Sequence, residues 1–320
     1  MRQSENENLI SILVACYNPE LKKLFVTLKS IIYQSGVNLE IIIADDGSSY
    51  NYFDELDNFF KNHQFLNYKI VKNKENRGTV HNIYSGLVEC KGKYTKLISP
   101  GDLLYSSDTM SNWMKDVRIK DSLLSFGNPV YYEINNNVIK PVIHMAWPQN
   151  IEVYKGKYRK ESKDFYLLAN DTIHGVSIIV NTKLFRKYIK EITDKVKFAE
   201  DCVYRIMAYD KIRFDYYDCN VVLYEFGVGI STNVDNKWNL LLQNDVKATD
   251  EIIIKRSRGT LFEDAFINAI DFRNNKKISA AFKLFIRKPY ILLWKIRTKF
   301  NRRLTSNVID LTFFDKCKKI

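Results

Sequence analysis

Cysteine, histidine and glycine are all sparse in this 320-residue sequence, with five, four and twelve residues respectively. The cysteines (Cys16, Cys90, Cys202, Cys219, Cys317) are scattered, without a Cys-x-x-Cys pair and without a histidine at metal-ligand spacing. That excludes a disulfide framework and a zinc ribbon, and reads as reduced thiols in a cytoplasmic protein. No glycine pattern G-x-G-x-x-G follows a strand, so the dinucleotide fingerprint is absent, and the lack of G-x-x-x-x-G-K-[ST] excludes a P-loop. No apolar run reaches the roughly 18–20 residues that span a bilayer. The amino terminus, MRQSENENLI, is polar and runs straight into an apolar segment, which is neither a signal-peptide nor an anchor pattern. Internal repeats and low-complexity linkers are also missing.

Apolar material is plentiful. The chain is 46% hydrophobic and 27% charged, enough for one large α/β domain with an appendage, or for two domains. A net charge of +12 invites a nucleic-acid or a membrane-surface reading. The excess is not spread evenly. Residues 273–320 hold 14 Lys/Arg against 2 Asp/Glu, and the first 272 residues carry 35 of each sign. A nucleic-acid enzyme places its cations around its cleft. A neutral body with a basic tail points instead to attachment at a surface, with no nucleic-acid partner.

Residues 9–16, LISILVAC, form a continuous β-rich apolar run, as expected of a parallel strand buried on both faces. Tyr17-Asn18-Pro19 stops it. Residues 20–33 repeat apolar positions at a helical period, and Gly36 ends that helix. A second strand (39–44, LEIIIA) runs into Asp45-Asp46-Gly47-Ser48-Ser49. A helix (52–62), a short strand (68–72), the turn Asn76-Arg77-Gly78 and a helix (79–90) follow. A fourth strand (94–99) is broken by Pro100-Gly101, with Asp102 just beyond.

This βαβαβαβ order with short connections implies an α/β fold, a doubly wound and mostly parallel sheet with right-handed crossovers. In such sheets ligands bind outside the carboxyl ends of the strands. Four groups of candidate residues stand there: Ala15, Tyr17 and Asn18; then Asp45 and Asp46; then Arg77; then Gly101 and Asp102. A carboxylate accepts hydrogen bonds from a uracil N–H or from ribose hydroxyls, and Asp45 is the candidate for the base contact. Ala15 and Tyr17 would flank the base, and Arg77 would stack on or bond to the nucleotide. Gly101 lets the backbone approach a ligand closely. Asp102 can hold a divalent cation, which in turn holds a diphosphate. The ordinary reading of Asp45-Asp46-Gly47 is a turn that closes a strand.

The middle of the chain is more mixed. A helix (110–117) precedes two strands (122–133 and 138–145) around an Asn-rich hairpin. A strand at 176–180, a helix at 183–189, a helix at 202–209 and a strand at 214–223 complete the body. His174 and Trp147 are candidate binding residues, although packing is the commoner role of each. Glu200-Asp201 stands at a helix start, where the dipole favours carboxylates. The polar stretch 229–237 marks a boundary, so that 1–228 form the main domain (halves at about 9–104 and 105–228) and 229–320 a helical, basic extension. Within it, residues 278–304 interleave aliphatic and aromatic residues with cations around Pro289. That pattern suits an anionic membrane surface, and equally a helical cap with a solvated charged face.

Taken in order, SILVACYN, EIIIADDGSS, NRG, GKYTKLISPGD and a downstream AED resemble the family 2 glycosyltransferases of the GT-A fold, of the bacterial cell-surface polysaccharide type. The resemblance covers about residues 9–225. It implies a nucleotide-sugar donor (a UDP-sugar), a glycan or lipid-linked glycan acceptor, a divalent Mn²⁺ or Mg²⁺, and an inverting, hexosyltransferase-like reaction. It implies that Asp201 is the general base, with Glu200 supporting it, and that His174 and Trp147 lie on the acceptor side, the indole stacking on a sugar face. The reduced thiols and the basic tail put the protein at the cytoplasmic face of the cell membrane. One departure stands out: where the family writes an acidic D-x-D cluster, this chain has Ser99-Pro100-Gly101-Asp102, which leaves Asp102 as the one strong metal ligand. The thinned loop motivates an alternative, a non-catalytic nucleotide-sugar-binding or scaffold protein of the same fold.

Overall fold

A computed structural model of the chain describes residues 8–135, 138–155, 161–227 and 236–318. The first four strands are β1 (Leu9–Cys16), β2 (Asn38–Asp45), β3 (Tyr68–Lys72) and β4 (Tyr94–Ile98), joined by helices α1 (Leu21–Ile32), α2 (Phe53–Asn62) and α3 (Thr79–Glu89). They pair in parallel in the order β3-β2-β1-β4. The register sets Cys16 opposite Asp45 and Asp45 opposite Lys72, so the loops that follow β1, β2 and β3 open at one level.

Both faces of this run are buried, and alternate residues serve opposite cores. Ile10, Ile12 and Val14 of β1 pack with Leu24, Leu28 and Ile31 of α1 and with Leu56 and Phe60 of α2. Leu13, Ile42 and Leu97 pack on the other side with Ile83 and Leu87 of α3. This two-sided burial explains why these strands read as continuous apolar runs without alternation. One acid lies inside it. Glu40 of β2 accepts from Ser11 Oγ and from the backbone N–H groups of Lys91 and Gly92, which ties the turn before β4 to the sheet.

Beyond β4 the directions mix. The remaining strands are β5 (Leu103–Leu104), β6 (Leu124–Asn135), β7 (Val138–Pro141), β8 (Ile178–Asn181) and β9 (Phe214–Glu225). The sheet continues β4-β8-β6-β9-β5, with β7 beside β6. β8 is antiparallel to β4 and to β6, while β6 and β9 are parallel. The strand expected over 138–145 ends at Pro141, after which one further bond, from Val142 N–H to the Tyr131 carbonyl, closes the pairing. The tip of the Asn-rich hairpin, residues 136–137, lies outside the described residues, as does most of the boundary stretch, 228–235. Helices α4 (Thr109–Lys120), α5 (Ser162–Leu167), α6 (Thr182–Ile192) and α7 (Cys202–Tyr209) complete this part.

The carboxyl-terminal region is helical: α8 (Asn236–Ser257), α9 (Leu261–Asn275), α10 (Ile278–Arg287), α11 (Pro289–Phe300) and α12 (Leu311–Lys318). Pro289 begins α11, where its missing N–H costs nothing. These helices are built into the body. Ile253, Phe266, Leu284 and Ile291 share one core with α6 and α7. Phe313, Phe314 and Cys317 of α12 share another with Leu103, Val130 and Leu223. Among the described residues, no helix is long and apolar enough to cross a membrane.

Candidate active site

The loops at the carboxyl ends of β1, β2 and β3 are knitted together by side chains that the sequence marked. Asn18, in the left-handed region at φ 44°, donates its N–H to Ser48 Oγ and accepts from Ser49 N–H at 2.8 Å. Asp45 is buried and accepts from Ser48 N–H at 2.9 Å and from the Tyr52 hydroxyl at 2.7 Å. Asp46 is also buried and accepts from the backbone N–H groups of Arg77 and Gly78 at 3.1 and 2.8 Å. Burial raises its pKa, against those hydrogen bonds. Each carboxylate thus fixes a loop: Asp45 its own turn, Asp46 the Asn76-Arg77-Gly78 turn. Ala15 is half-buried, and the side chains of Tyr17 and Arg77 are exposed beside them.

A second group sits where β4 ends. Asp102 is 7% exposed, and its Oδ1 accepts from Glu225 N–H at 3.4 Å. Burial pushes its carboxyl up to about 7, against the pull of that N–H and of Lys96. Gly101, at φ +103°, lies so close to Glu225 that a Cβ there would meet Oε2 at 2.7 Å. Glu225 in turn is held by Lys23 Nζ at 2.6 and 2.7 Å. Lys96 of β4 is fully buried, and its Nζ donates to the carbonyls of Leu97 and Val176. Burial pulls its ammonium down to about 7, opposed by the charges of Asp102 and Asp201. Lys96 therefore links the Asp102 loop electrostatically to the segment that holds Asp201.

That segment is Ile173–Val176, just before β8. Asp201 Oδ2 accepts from Gly175 N–H at 3.2 Å, and its Oδ1 is closed off from solvent without a hydrogen-bond partner. Gly175 is required by this approach, since a Cβ would lie 1.9 Å from Oδ1. Burial raises the Asp201 pKa, with Gly175 N–H and Lys96 opposing. Burial raises that of Glu200 too, reinforced by the charge of Asp201. From the other side, Asp245 of α8 accepts from Lys197, Phe198 and Ala199 N–H groups at 3.0, 2.7 and 2.9 Å and so fixes the turn that leads into Glu200-Asp201. One helical turn along α7, buried Arg205 meets Asp250 of α8 at 2.5 Å. The two loop systems also touch, because Val80 N–H donates to Lys197 carbonyl beside Gly78.

Eleven of the twelve residues singled out in the sequence therefore belong to one linked set of loops at the carboxyl edge of the sheet. His174 is in it, with Nδ1 at 2.7 Å from the Tyr131 hydroxyl and its pKa lowered to about 4 by burial and by His144. Trp147 is not. It lines a cavity with Ala169 and with Trp294, Lys295, Thr298 and Lys299 of α11. Sequence reading missed Lys96, a cation inside a buried strand, and Asp245, an acid on a helix with no local signature. It also missed Gly175 as the rest for Asp201.

The arrangement offers one carboxylate oxygen free to take a proton, one buried carboxyl whose charge needs a cation nearby, and loops braced for a ligand between them. No group of three or more His, Cys, Asp or Glu suited to a metal is present among the described residues. Asp102 offers one carboxylate, with that of Glu225 nearby but paired to Lys23, a set that suits a Mg²⁺-type ion taking its other ligands from substrate phosphates and water.

The family model described as "Glycosyl transferase family 2" matches residues 11–189. An "Uncharacterized glycosyltransferase" of Haemophilus influenzae is 25% identical over 201 residues, which cover 62% of this chain and 59% of that protein. A poly-beta-1,6-N-acetyl-D-glucosamine synthase of Staphylococcus epidermidis is 32% identical over 130 residues, 40% of this chain and 30% of the synthase. The chain thus spans well under two thirds of the length of these relatives. Among solved structures, S. aureus TarS 1-349 in complex with UDP-GlcNAc has a TM-score of 0.54 at 15% identity, covering 83% of this chain and 73% of that one. The same protein in complex with UDP has a TM-score of 0.52 over 82% and 72%. At such identity the likeness is one of fold, and the fold is GT-A.

Proposed function

The chain belongs to glycosyl transferase family 2, and from that premise we propose that it is an inverting, hexosyltransferase-like enzyme of cell-surface polysaccharide synthesis. Its donor is a nucleoside diphosphate sugar, of the UDP type, and its acceptor a hydroxyl of a glycan or lipid-linked glycan. Solved TarS complexes with UDP and UDP-GlcNAc support the donor class.

The observation that carries the reading is the state of Asp201. One oxygen is anchored on Gly175 N–H, and the other is buried and unpartnered. A buried carboxylate oxygen left without a donor has a strong drive to accept one. In this reading it accepts the acceptor hydroxyl. As that oxygen attacks the anomeric carbon, Asp201 takes its proton, the bond from the anomeric carbon to the diphosphate oxygen breaks, and the nucleoside diphosphate leaves from the opposite face. A raised pKa makes Asp201 a better proton acceptor than an exposed aspartate. Glu200 supports it from the same helix start, and His174 borders the acceptor side. The loops carrying Ala15, Tyr17, Asn18, Asp45, Asp46, Arg77 and Gly101 hold the nucleotide.

Asp102 is the residue that would hold Mn²⁺ or Mg²⁺, which when bound supplies charge neutralisation for the departing diphosphate. Lys96, buried between Asp102 and Asp201, adds a fixed or titrating cation on the protein side. The basic helices attach the protein to the inner face of the membrane. Exposed Ile278, Phe282, Ile286, Leu293, Ile296 and Phe300 on α10 and α11, among the cations of the same helices, support that attachment. The test is transfer or hydrolysis of a panel of nucleoside diphosphate sugars with Mn²⁺. Turnover by the wild type that is lost in Asp201→Asn supports the enzyme. Binding of the donor without turnover across donors and acceptors would move the protein to the non-catalytic alternative.

A further inference from the structure

A cavity of about 230 Å³ lies between residues 145–149 and the inner side of α11, apart from the loops described above. Trp147 and Trp294 stand in its wall, Lys295, Lys299 and Arg302 ring it, and Ala169 forms part of its floor; no lining residue is acidic. Among the described residues none of the three cations forms an ion pair. Burial lowers the Lys295 pKa, with Lys276 and Arg273 adding to it and Asp171 opposing. Three like charges line one small space against one nearby acid, Asp171, which is buried and accepts from Gln149 and Asn150 N–H, so the lining keeps an excess of positive charge. An anion fills that need: Arg offers a fork that matches phosphate or carboxylate, and Lys a point charge. Two indoles add flat apolar faces with a polar edge, the surface on which the C–H face of a sugar ring packs.

We propose that this cavity binds an anionic saccharide, a sugar ring bearing a phosphate or a carboxylate. As a site for the acceptor chain, the proposal rests on the transferase reading above. The volume is below the roughly 300–1,000 Å³ of pockets for drug-sized ligands, so it takes one ring or charged group of a longer chain. The connection to the candidate base is short. Ala169 on the cavity floor and Gly175, which holds Asp201, are six residues apart, which limits their separation to about 22 Å. An acceptor anchored at one end in the cavity can present its other end toward Asp201.

A lipid headgroup carries the same charge, and helix geometry argues against it. On α11 the cavity residues Trp294 and Thr298 stand four positions apart, with Lys295 and Lys299 beside them, and Arg302 follows just past the helix end. The exposed apolar residues Leu293, Ile296 and Phe300 fall on the opposite side at about 100° per residue. A membrane that meets the apolar side leaves the cavity facing the protein body.

The experiment follows tryptophan fluorescence of the full chain, with saturating UDP present to occupy the nucleotide loops, as glucose 1-phosphate, glucuronate, glucose and inorganic phosphate are added. Glucose 1-phosphate and glucuronate give saturable quenching, and glucose and inorganic phosphate bind at least about tenfold more weakly. K299A/R302A, both exposed residues whose loss leaves the melting temperature unchanged, weakens the charged sugars at least about tenfold. The proposal is overturned if quenching does not saturate, if the double variant binds as well as wild type, or if inorganic phosphate matches glucose 1-phosphate. It is also overturned if the double variant's loss is of binding to phosphatidylglycerol vesicles and not to the sugars. UDP binding is titrated separately, so failure of the transferase reading shows as a chain that binds charged sugars but no nucleotide.

Discussion

Asp102→Asn separates a carboxyl kept for its charge from one kept for packing. The carboxyl is 7% exposed and is pushed from an ordinary 3.8 to about 7, chiefly by burial. One pKa unit corresponds to about 1.4 kcal/mol, so holding Asp102 ionised at pH 8 costs the ligand-free fold on the order of 4 kcal/mol. Asparagine keeps an oxygen for the Glu225 N–H and removes the charge. Part of the gain is offset because Lys96, fully buried, loses its Asp102 counter-charge. A net stabilisation of on the order of 2–4 kcal/mol at pH 8 remains. The sign in pH follows from the raised value. The folded state binds the extra proton, so the wild-type penalty is full above about 7, shrinks as pH falls through it, and is gone near the ordinary value. Urea unfolding of both proteins at pH 8, 6 and 4 measures this, without metal or nucleotide. A variant less stable than wild type at pH 8, or a difference that does not change with pH, refutes the reasoning. Mn²⁺ should then stabilise wild type and not the variant at pH 8.

Gly175→Ala places a methyl where Asp201 Oδ1 stands, and a displacement of about 1 Å at a reacting group costs about 100-fold; kcat should fall by that order while KM for the donor stays within a few-fold. Asp245→Ala removes the acceptor of three backbone N–H groups and should cost about 1–3 kcal/mol in unfolding free energy, with a drop in kcat beyond what the unfolded fraction explains. Because burial raises the Asp201 pKa, kcat/KM should fall with decreasing pH at a higher pH than an ordinary aspartate gives, and the acid limb should vanish with Asp201→Asn. Replacing Phe282, Ile286 and Phe300 with serine should release the protein from phosphatidylglycerol vesicles in a flotation assay. Deleting residues 278–318 would not test this, because α12 packs into the body; unchanged flotation of the triple variant removes the membrane assignment.

The amino-terminal half was legible because two-sided burial turns each parallel strand into an unbroken apolar run, and each run ends in a polar turn at the same edge. Asp45, Asp46 and Asp102 could therefore be placed before any coordinates. Directions in the second half could not be read: β6, β8 and β9 are apolar on the same pattern whether parallel or antiparallel, and only tertiary pairing decides. Asp201 stood out through its place in an ordered set of motifs, yet its environment did not. Gly175 lies 26 residues away and Asp245 lies 44, and neither sits in a local pattern that points to Asp201. Lys96 is the clearest case of a local rule broken at a site, a cation in the middle of YTKLI whose use only the neighbouring carboxylates reveal. Trp147 stands apart from the other candidates, in the wall of a cavity with α11 that no sequence spacing connects to it.

The central claim is that Asp201 takes a proton from an acceptor hydroxyl during glycosyl transfer. Its most direct test is single-turnover transfer by Asp201→Asn beside wild type, with donor affinity measured on the same samples. The account predicts unchanged nucleotide-sugar binding and a loss of at least about 100-fold in the transfer rate, the low end of a general base's contribution. Transfer by Asp201→Asn at the wild-type rate, with donor binding intact, would contradict it.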